Sequence, residues 1–119
     1  MNDIKTRSDV EKMVKSFYDR VMEDPLIAPS FINVYWPHHL PVMYNFWSSV
    51  LLGDMSYSGS PLTKHMDLDL KTEHFDRWLK LFNENIDAQF AGPVTEEAKA
   101  RANTVANMFQ FKMGLLKVK

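Results

Sequence analysis

The chain has 119 residues and a mass of 13.9 kDa, which suits one hydrophobic core and excludes a second domain of ordinary size. Lys and Arg number 14 against 15 Asp and Glu, so we expect neither nucleic acid nor an anionic membrane as a partner. The absence of cysteine excludes disulfides, thiolate metal sites and a cysteine nucleophile. The N-terminal residues are charged and no apolar run approaches the ~20 residues that span a bilayer, so we expect a cytoplasmic protein.

Large, flat and soft side chains dominate the apolar content. The sequence contains 8 Phe, 8 Met, 3 Trp and 4 Tyr, but only 4 Gly, which leaves few positions for tight hairpin turns. This composition favours an all-α domain. Aromatic residues at such density either fill a core or line a pocket for a large apolar ligand, and composition alone does not distinguish the two.

The first predicted helix covers residues 8–24. Its apolar residues recur at steps of three and four, Ser8 and Asp9 are the predicted N-caps, and Pro25 prevents the helix from continuing. The next stretch contains four of the six prolines and is predicted to be a compact corner instead of a long helix. Its apolar anchors are Leu26, Ile27, Phe31 and Trp36.

Three more long helices are predicted from the same periodicity. The second begins at residue 38 or 39 and ends before Gly53, and the third covers residues 73–90. The fourth follows its predicted N-cap, Thr95, and has an alanine-rich apolar face. No repeat or linker interrupts this pattern, so the four helices and the corner should enclose one core.

The four histidines are the strongest ligands that this cysteine-free chain offers to a soft metal ion. We expect His38 to be solvated, since neighbours on a helix point about 100° apart and His39 lies on the apolar face. We expect His74, in the first turn of the third helix, to be polar and half-exposed. His65 lies in a short turn, begun by Pro61, that is not stable alone. Taken singly, His39 and His65 are ordinarily hydrogen-bonded core residues.

Together with two other polar side chains, the histidines fit the chemistry of haem. One histidine would bind the iron axially, while the Tyr18 hydroxyl, the Trp78 indole and His39 are candidate donors to a ligand on the opposite face. Haem is flat and largely apolar, so it would also account for the many aromatic residues of this small chain. Ferrous iron places negative charge on bound O2, and donors aimed at that charge slow the dissociation of the gas.

The sequence resembles the group III truncated haemoglobins, which are bacterial globins. The matching segments are FYDRVMEDPLIAPSF, WPHHLPVMYNFWSSVLLG, YSGSPLTKHMDL and HFDRWLKLF, followed by the alanine-rich last helix. The resemblance covers roughly residues 8–113 of a single domain spanning residues 1–119. It implies an all-α, truncated globin-like fold, in which a two-over-two helical sandwich surrounds haem b (iron protoporphyrin IX).

By position, the resemblance also implies the roles of individual residues. His65, in PLTKH, matches the proximal ligand of the haem iron, whereas His74, in HFDRWL, does not. The residues that match the distal, ligand-binding pocket are Tyr18, His39 and Trp78. Further haem contacts are implied for Phe31, Met43, Phe46, Trp47 and Phe82, and contacts with the haem propionates for Tyr57 and Lys64.

The function that the resemblance implies is reversible binding of O2 and of other diatomic ligands such as NO and CO, without enzymatic turnover. It leaves open whether the protein serves oxygen binding or delivery, sensing, or detoxification of NO or peroxide. Turnover would need electrons from a separate reductase. Two other classes stay open: a cofactor-free helical protein-interaction module, and a non-haem metal enzyme, although no helix carries an H-x-x-x-H or E-x-x-H pair.

Overall fold

A computed structural model of the chain describes residues 1–55, 57, 70–112 and 114. The α-helices in this part of the chain are α1 (Arg7–Glu23), α2 (Trp36–Leu52), α3 (Thr72–Asp87) and α4 (Pro93–Lys112), and a 3-10 turn spans Ala28–Phe31. Helix α1 packs against α2 and α3, and α3 packs in turn against α4. The predicted all-α, two-over-two arrangement is therefore confirmed. None of the helices in the described ranges is long and apolar enough to cross a membrane.

Helix α1 begins earlier than predicted because Thr6 is its N-cap. The Thr6 hydroxyl accepts a hydrogen bond from the Asp9 N–H (3.1 Å), and the Asp9 carboxylate accepts one from the Thr6 N–H (3.1 Å). This reciprocal pair satisfies main-chain donors that a helix start leaves open. The prediction of Ser8 or Asp9 as the N-cap was therefore wrong, whereas the end of the helix before Pro25 is confirmed.

Helix α2 also begins earlier than predicted, at Trp36. Pro37 is tolerated there because the first turn of a helix needs no main-chain N–H donor. The helix ends at Leu52, and its C-cap, Gly53, has a φ of +70°, the left-handed conformation that glycine adopts at low cost. The predicted stop at Gly53 is thus confirmed.

Helix α3 is shorter than the periodicity of its sequence indicates. It ends at Asp87, yet Phe90 remains buried because the chain turns back, with the Phe90 N–H donating to the Ile86 carbonyl (2.9 Å). The apolar periodicity therefore continues beyond the helix itself.

Helix α4 begins at Pro93, so Thr95 is not its N-cap. Instead, the Asp3 carboxylate accepts hydrogen bonds from the N–H groups of Val94 and Thr95 (2.9 Å each) and from the Thr95 hydroxyl (2.8 Å). The cap of α4 is thus supplied from the opposite end of the sequence. The local pattern around Thr95 contains no sign of it.

A cluster of aromatic rings forms the core between α1, α2 and α3. Phe17 meets Phe82 edge to face at 5.3 Å between ring centroids, and Phe82 stacks on both Trp47 (5.1 Å) and Trp78 (5.7 Å). Asn85 adds a buried hydrogen bond from α3 to the main chain of α1, through the Met13 carbonyl (3.0 Å). These contacts fix the relative position of the helices that carry the site.

Candidate functional site

The described residues surround about 670 Å³ of space between protein atoms, part of it open to solvent. All four helices contribute to its wall, and most of the side chains are apolar or aromatic. They are Tyr18, Ile27, Phe31, Met43, Phe46, Trp47, Leu70, His74, Phe75, Trp78, Val105, Ala106 and Phe109. A wall of this kind, with few polar groups, is typical of sites for largely apolar ligands.

The corner after α1 brings two apolar side chains to this cavity. The Asp24 carboxylate, only 9% exposed, accepts hydrogen bonds from the N–H groups of Leu26 (2.9 Å) and Ile27 (3.2 Å). An Asx turn of this kind reverses the chain at a proline-containing segment. Arg77 on α3 lies 3.6 Å from the same carboxylate. The corner is thereby held against α3, with Ile27 and Phe31 at the cavity wall.

Tyr18 places a buried hydroxyl at the cavity. The side chain is 5% exposed, and burial raises the pKa of the phenol well above its ordinary value. The group is therefore a neutral O–H donor near pH 7. No group of the described residues accepts a hydrogen bond from it, so the donor is available to a ligand.

Trp78 supplies a second donor to the same cavity from the opposite pair of helices. Its ring is held by edge-to-face contact with Phe17 (5.4 Å) and by stacking on Phe82 (5.7 Å). Phe17 also contacts the Tyr18 ring at 5.0 Å. One buried phenylalanine thus orients both of the predicted donors, and the structure brings Tyr18 and Trp78 together as predicted.

His39 lies beside Tyr18 and is not one of the described residues that line the cavity. Its ring meets the Tyr18 ring at 5.5 Å and the Trp36 ring at 5.4 Å, edge to face in both cases. The inward direction predicted from helical spacing holds, because the residue is half-buried on α2 while His38 is exposed. The periodicity did not reveal that His39 would pack on Tyr18 instead of lining the cavity.

The remaining predicted contacts divide into three groups. Phe31, Met43, Phe46 and Trp47 line the cavity. Phe82 does not, since it is 1% exposed and packs behind Trp47 and Trp78. Tyr57 does not line the cavity but contacts a residue that does, with its ring 5.4 Å from that of Phe46. Burial raises the pKa of the Tyr57 phenol. The expected proximal ligand His65 and the expected propionate contact Lys64 lie outside the described residues.

Several lining residues were not predicted from the sequence to border a ligand site, and His74 is the one among them with a polar side chain. The others are Ile27, Leu70, Phe75, Val105, Ala106 and Phe109. Most of them lie on predicted apolar faces, and periodicity does not distinguish a face that borders a cavity from one that meets another helix. The position of His74 at the cavity is compatible with helical spacing, but nothing in the local sequence indicates it.

The imidazole of His74 closes the first turn of α3. Its Nδ1 accepts a hydrogen bond from the Lys71 N–H (2.9 Å), and the His74 N–H donates to the Lys71 carbonyl (2.9 Å). Because Nδ1 is the acceptor, the neutral ring carries its proton on Nε2. Nε2 is therefore a donor in this arrangement.

Comparison with known proteins identifies the kind of protein that builds such a cavity. The sequence model of the bacterial-like globins matches residues 2–113. The chain belongs to the bacterial-like globin family. This globin is 33% identical over 111 residues to the group 3 truncated hemoglobin ctb of Campylobacter jejuni, with 87% of each protein covered.

The fold leads to the same group of globins. The crystal structure of the group III truncated hemoglobin from Campylobacter jejuni matches this globin with a TM-score of 0.86 and 32% identity, covering 98% of this chain and 97% of that one. The resemblance to group III truncated haemoglobins found in the sequence is thus confirmed. Membership of the globin family implies haem binding, and the apolar cavity with its unused Tyr18 donor fits such a group.

Proposed function

We propose that this globin holds haem b in the cavity and binds O2 reversibly at the iron, together with other diatomic ligands such as NO and CO. One observation carries the proposal: the Tyr18 side chain is buried at an apolar cavity, and its hydroxyl has no acceptor among the described residues. A buried hydroxyl in that situation costs free energy unless a partner arrives. A polarised ligand on haem iron would be that partner.

As the protein residue that would bind the haem iron we propose His65, which matches the proximal histidine of the group III truncated haemoglobins. The hydrogen bonding of His74 supports its exclusion from this role. A metal-binding histidine ordinarily coordinates through one nitrogen and donates from the other. In His74, however, Nδ1 is an acceptor and Nε2 carries the proton, which leaves neither nitrogen with a lone pair for iron.

When bound, haem would supply an iron atom with one open coordination position. The side chains of this globin would enclose the haem and bind the gas. Those at the cavity wall, Phe31, Met43, Phe46 and Trp47, would cover the macrocycle and exclude water. Tyr18 and Trp78 would donate hydrogen bonds to the bound gas, and the low local dielectric strengthens such bonds.

The contacts at the edge of the macrocycle would come from Tyr57 and Lys64, as the resemblance implies. Phe82 and His39 would act through their neighbours, Phe82 by supporting Trp78 and His39 by packing on Tyr18. We propose oxygen binding or delivery as the use, with no catalytic residue in the chain itself. Detoxification of NO or peroxide would require a separate electron-donating reductase.

The deciding experiment is a visible absorption spectrum of the purified protein after haem reconstitution, recorded ferric, then reduced with dithionite, then under CO. We expect one haem per chain and a Soret band that sharpens and shifts when CO binds. Failure to take up haem would overturn the proposal. It would favour the alternative of a cofactor-free helical interaction module.

A further inference from the structure

We propose that His74 is a haem-binding residue of this chain that holds a propionate of the macrocycle through its Nε2–H. This inference rests on the proposed binding of haem in the cavity. It concerns a residue that the family resemblance does not single out.

The first step is the position of the imidazole. His74 lines the cavity, and it is half-buried, so its ring borders both the cavity and the solvent. Haem carries two carboxylates that must stay close to water, because burying an unpaired carboxylate is costly. An edge of the cavity where a polar residue reaches the solvent is therefore where a propionate can lie.

The second step is the chemistry of the donors around the cavity. Among the described lining residues, side-chain N–H or O–H donors are found on Tyr18, Trp47, Trp78 and His74. Tyr18 and Trp47 are only 5% and 4% exposed, and are thus too deeply buried for a carboxylate. Trp78 stacks on Phe82 in the aromatic core. His74, at the start of α3, is the remaining half-buried donor.

The third step is the orientation of the ring. The bond from the Lys71 N–H to Nδ1 (2.9 Å) fixes the tautomer and restrains the ring. Nε2–H has no acceptor among the described residues, so its hydrogen bond is unused. The N-cap bond thus prepares a donor at the rim of the cavity before the ligand arrives, which reduces the entropy lost on binding.

The test separates this role from the capping role of the same side chain. In His74→Glu, the new carboxylate can still accept from the Lys71 N–H, as glutamate commonly does at this helix position. It offers no donor and places a like charge next to a propionate. His74→Gln keeps an acceptor and regains a donor. His38→Glu, at an exposed position of α2, introduces the same charge away from the cavity.

Two haems are compared in the full-length protein: protohaem, and its dimethyl ester, which has no free carboxylate. Haem release is measured by transfer to excess apomyoglobin. For His74→Glu with protohaem we expect release about tenfold faster than for the natural protein, since charge-assisted hydrogen bonds are the stronger class. With the ester, we expect the two proteins to release at equal rates. His74→Gln should lie close to the natural protein, and His38→Glu should match it.

The outcomes are distinguishable from failure of the proposed function. If the natural protein takes up neither haem, the haem proposal fails and this one fails with it. If it binds both haems but His74→Glu speeds the release of both equally, His74 acts only as a helix cap and the inference is overturned. Thermal unfolding of the apoproteins checks the capping role independently. A change in the cap would shift the melting temperature of the His74→Glu apoprotein even though no haem is bound.

Discussion

The ring of Trp36 lies 5.0 Å from the ring of Tyr18, tilted by 54°, and Phe31 contacts both, at 6.3 Å from Trp36 and 6.2 Å from Tyr18. Tyr18 is consequently held by aromatic rings from α1, from the corner and from α2. Its hydroxyl keeps one position at the cavity without a hydrogen bond of its own. Packing, not a polar network, prepares this donor for a ligand.

Replacement of Tyr18 by Phe removes the hydroxyl and leaves the ring packing in place. We expect Tyr18→Phe to release O2 at least about tenfold faster, since a hydrogen bond to a charged oxygen contributes about 1.5–3 kcal/mol. Stopped-flow measurement of O2 dissociation would check this. Tyr44→Phe is the matched control, because Tyr44 lies on α2 and is not one of the lining residues. Equal rates in all three proteins would show that Tyr18 does not bond the ligand.

The identity of the iron ligand is tested by replacing His65 and His74 in separate variants. We expect His65→Gly to take up haem weakly, with an altered Soret band, and to recover a normal spectrum when imidazole is added. His74→Ala should keep the axial spectrum of the natural protein, because the ring nitrogens of His74 are used otherwise. The reverse pattern would show that His74, and not His65, binds the haem iron.

The cap on α4 should give a stability that depends on pH. Desolvation raises the pKa of Asp3, but hydrogen bonds from Val94, Thr95 and Ile4 outweigh it, so the pKa is lower than its ordinary value of 3.8. A carboxyl with a lower pKa in the folded state stabilises the fold above that ordinary value and ceases to do so as the pH falls through the folded pKa.

We therefore expect Asp3→Ala to lose about 1 kcal/mol of unfolding free energy at pH 7, the usual cost of a lost N-cap. The difference from the natural protein should shrink as the pH is lowered through and below 3.8. Urea unfolding at a series of pH values measures it. Asp76→Ala, an exposed change on α3, should have little effect at any pH. A difference that persists in acid would contradict the capping role.

Gly53 and Gly92, two of the described glycines with positive φ, should respond differently to alanine. A Cβ at Gly92, where φ is +142°, would lie 2.6 Å from the Asp3 carboxylate, whereas a Cβ at Gly53 would meet nothing within 4 Å. We expect Gly53→Ala to cost about 1 kcal/mol from backbone strain alone, and Gly92→Ala to cost clearly more. Chemical denaturation of both variants would decide. Equal losses would mean that the Asp3 segment moves aside freely.

The helices were predictable because each has a continuous apolar face. Their ends were less so, since Thr6 and Asp9 form a reciprocal cap and Asp3 caps a helix from the far end of the chain. Rules for helix ends use only residues close in sequence, so they cannot indicate a cap supplied by a residue 92 positions away.

The residues of the candidate site were also predictable only in part. Tyr18 and Trp78 stand out because each puts a polar group on an apolar face, and both line the cavity. Phe82 and His39 lie on equally apolar faces but contact other rings instead. Helical spacing determines which way a side chain points, whereas the packing of several helices determines what it meets there.

The three tryptophans of the chain all belong to this part of the molecule. Trp47 and Trp78 line the cavity, and Trp36 contacts Tyr18, which lines it too. The tryptophan fluorescence of the protein therefore originates entirely around one site. An absorbing macrocycle bound there would quench nearly all of that emission, so a simple fluorimetric titration could count the haem taken up without any label.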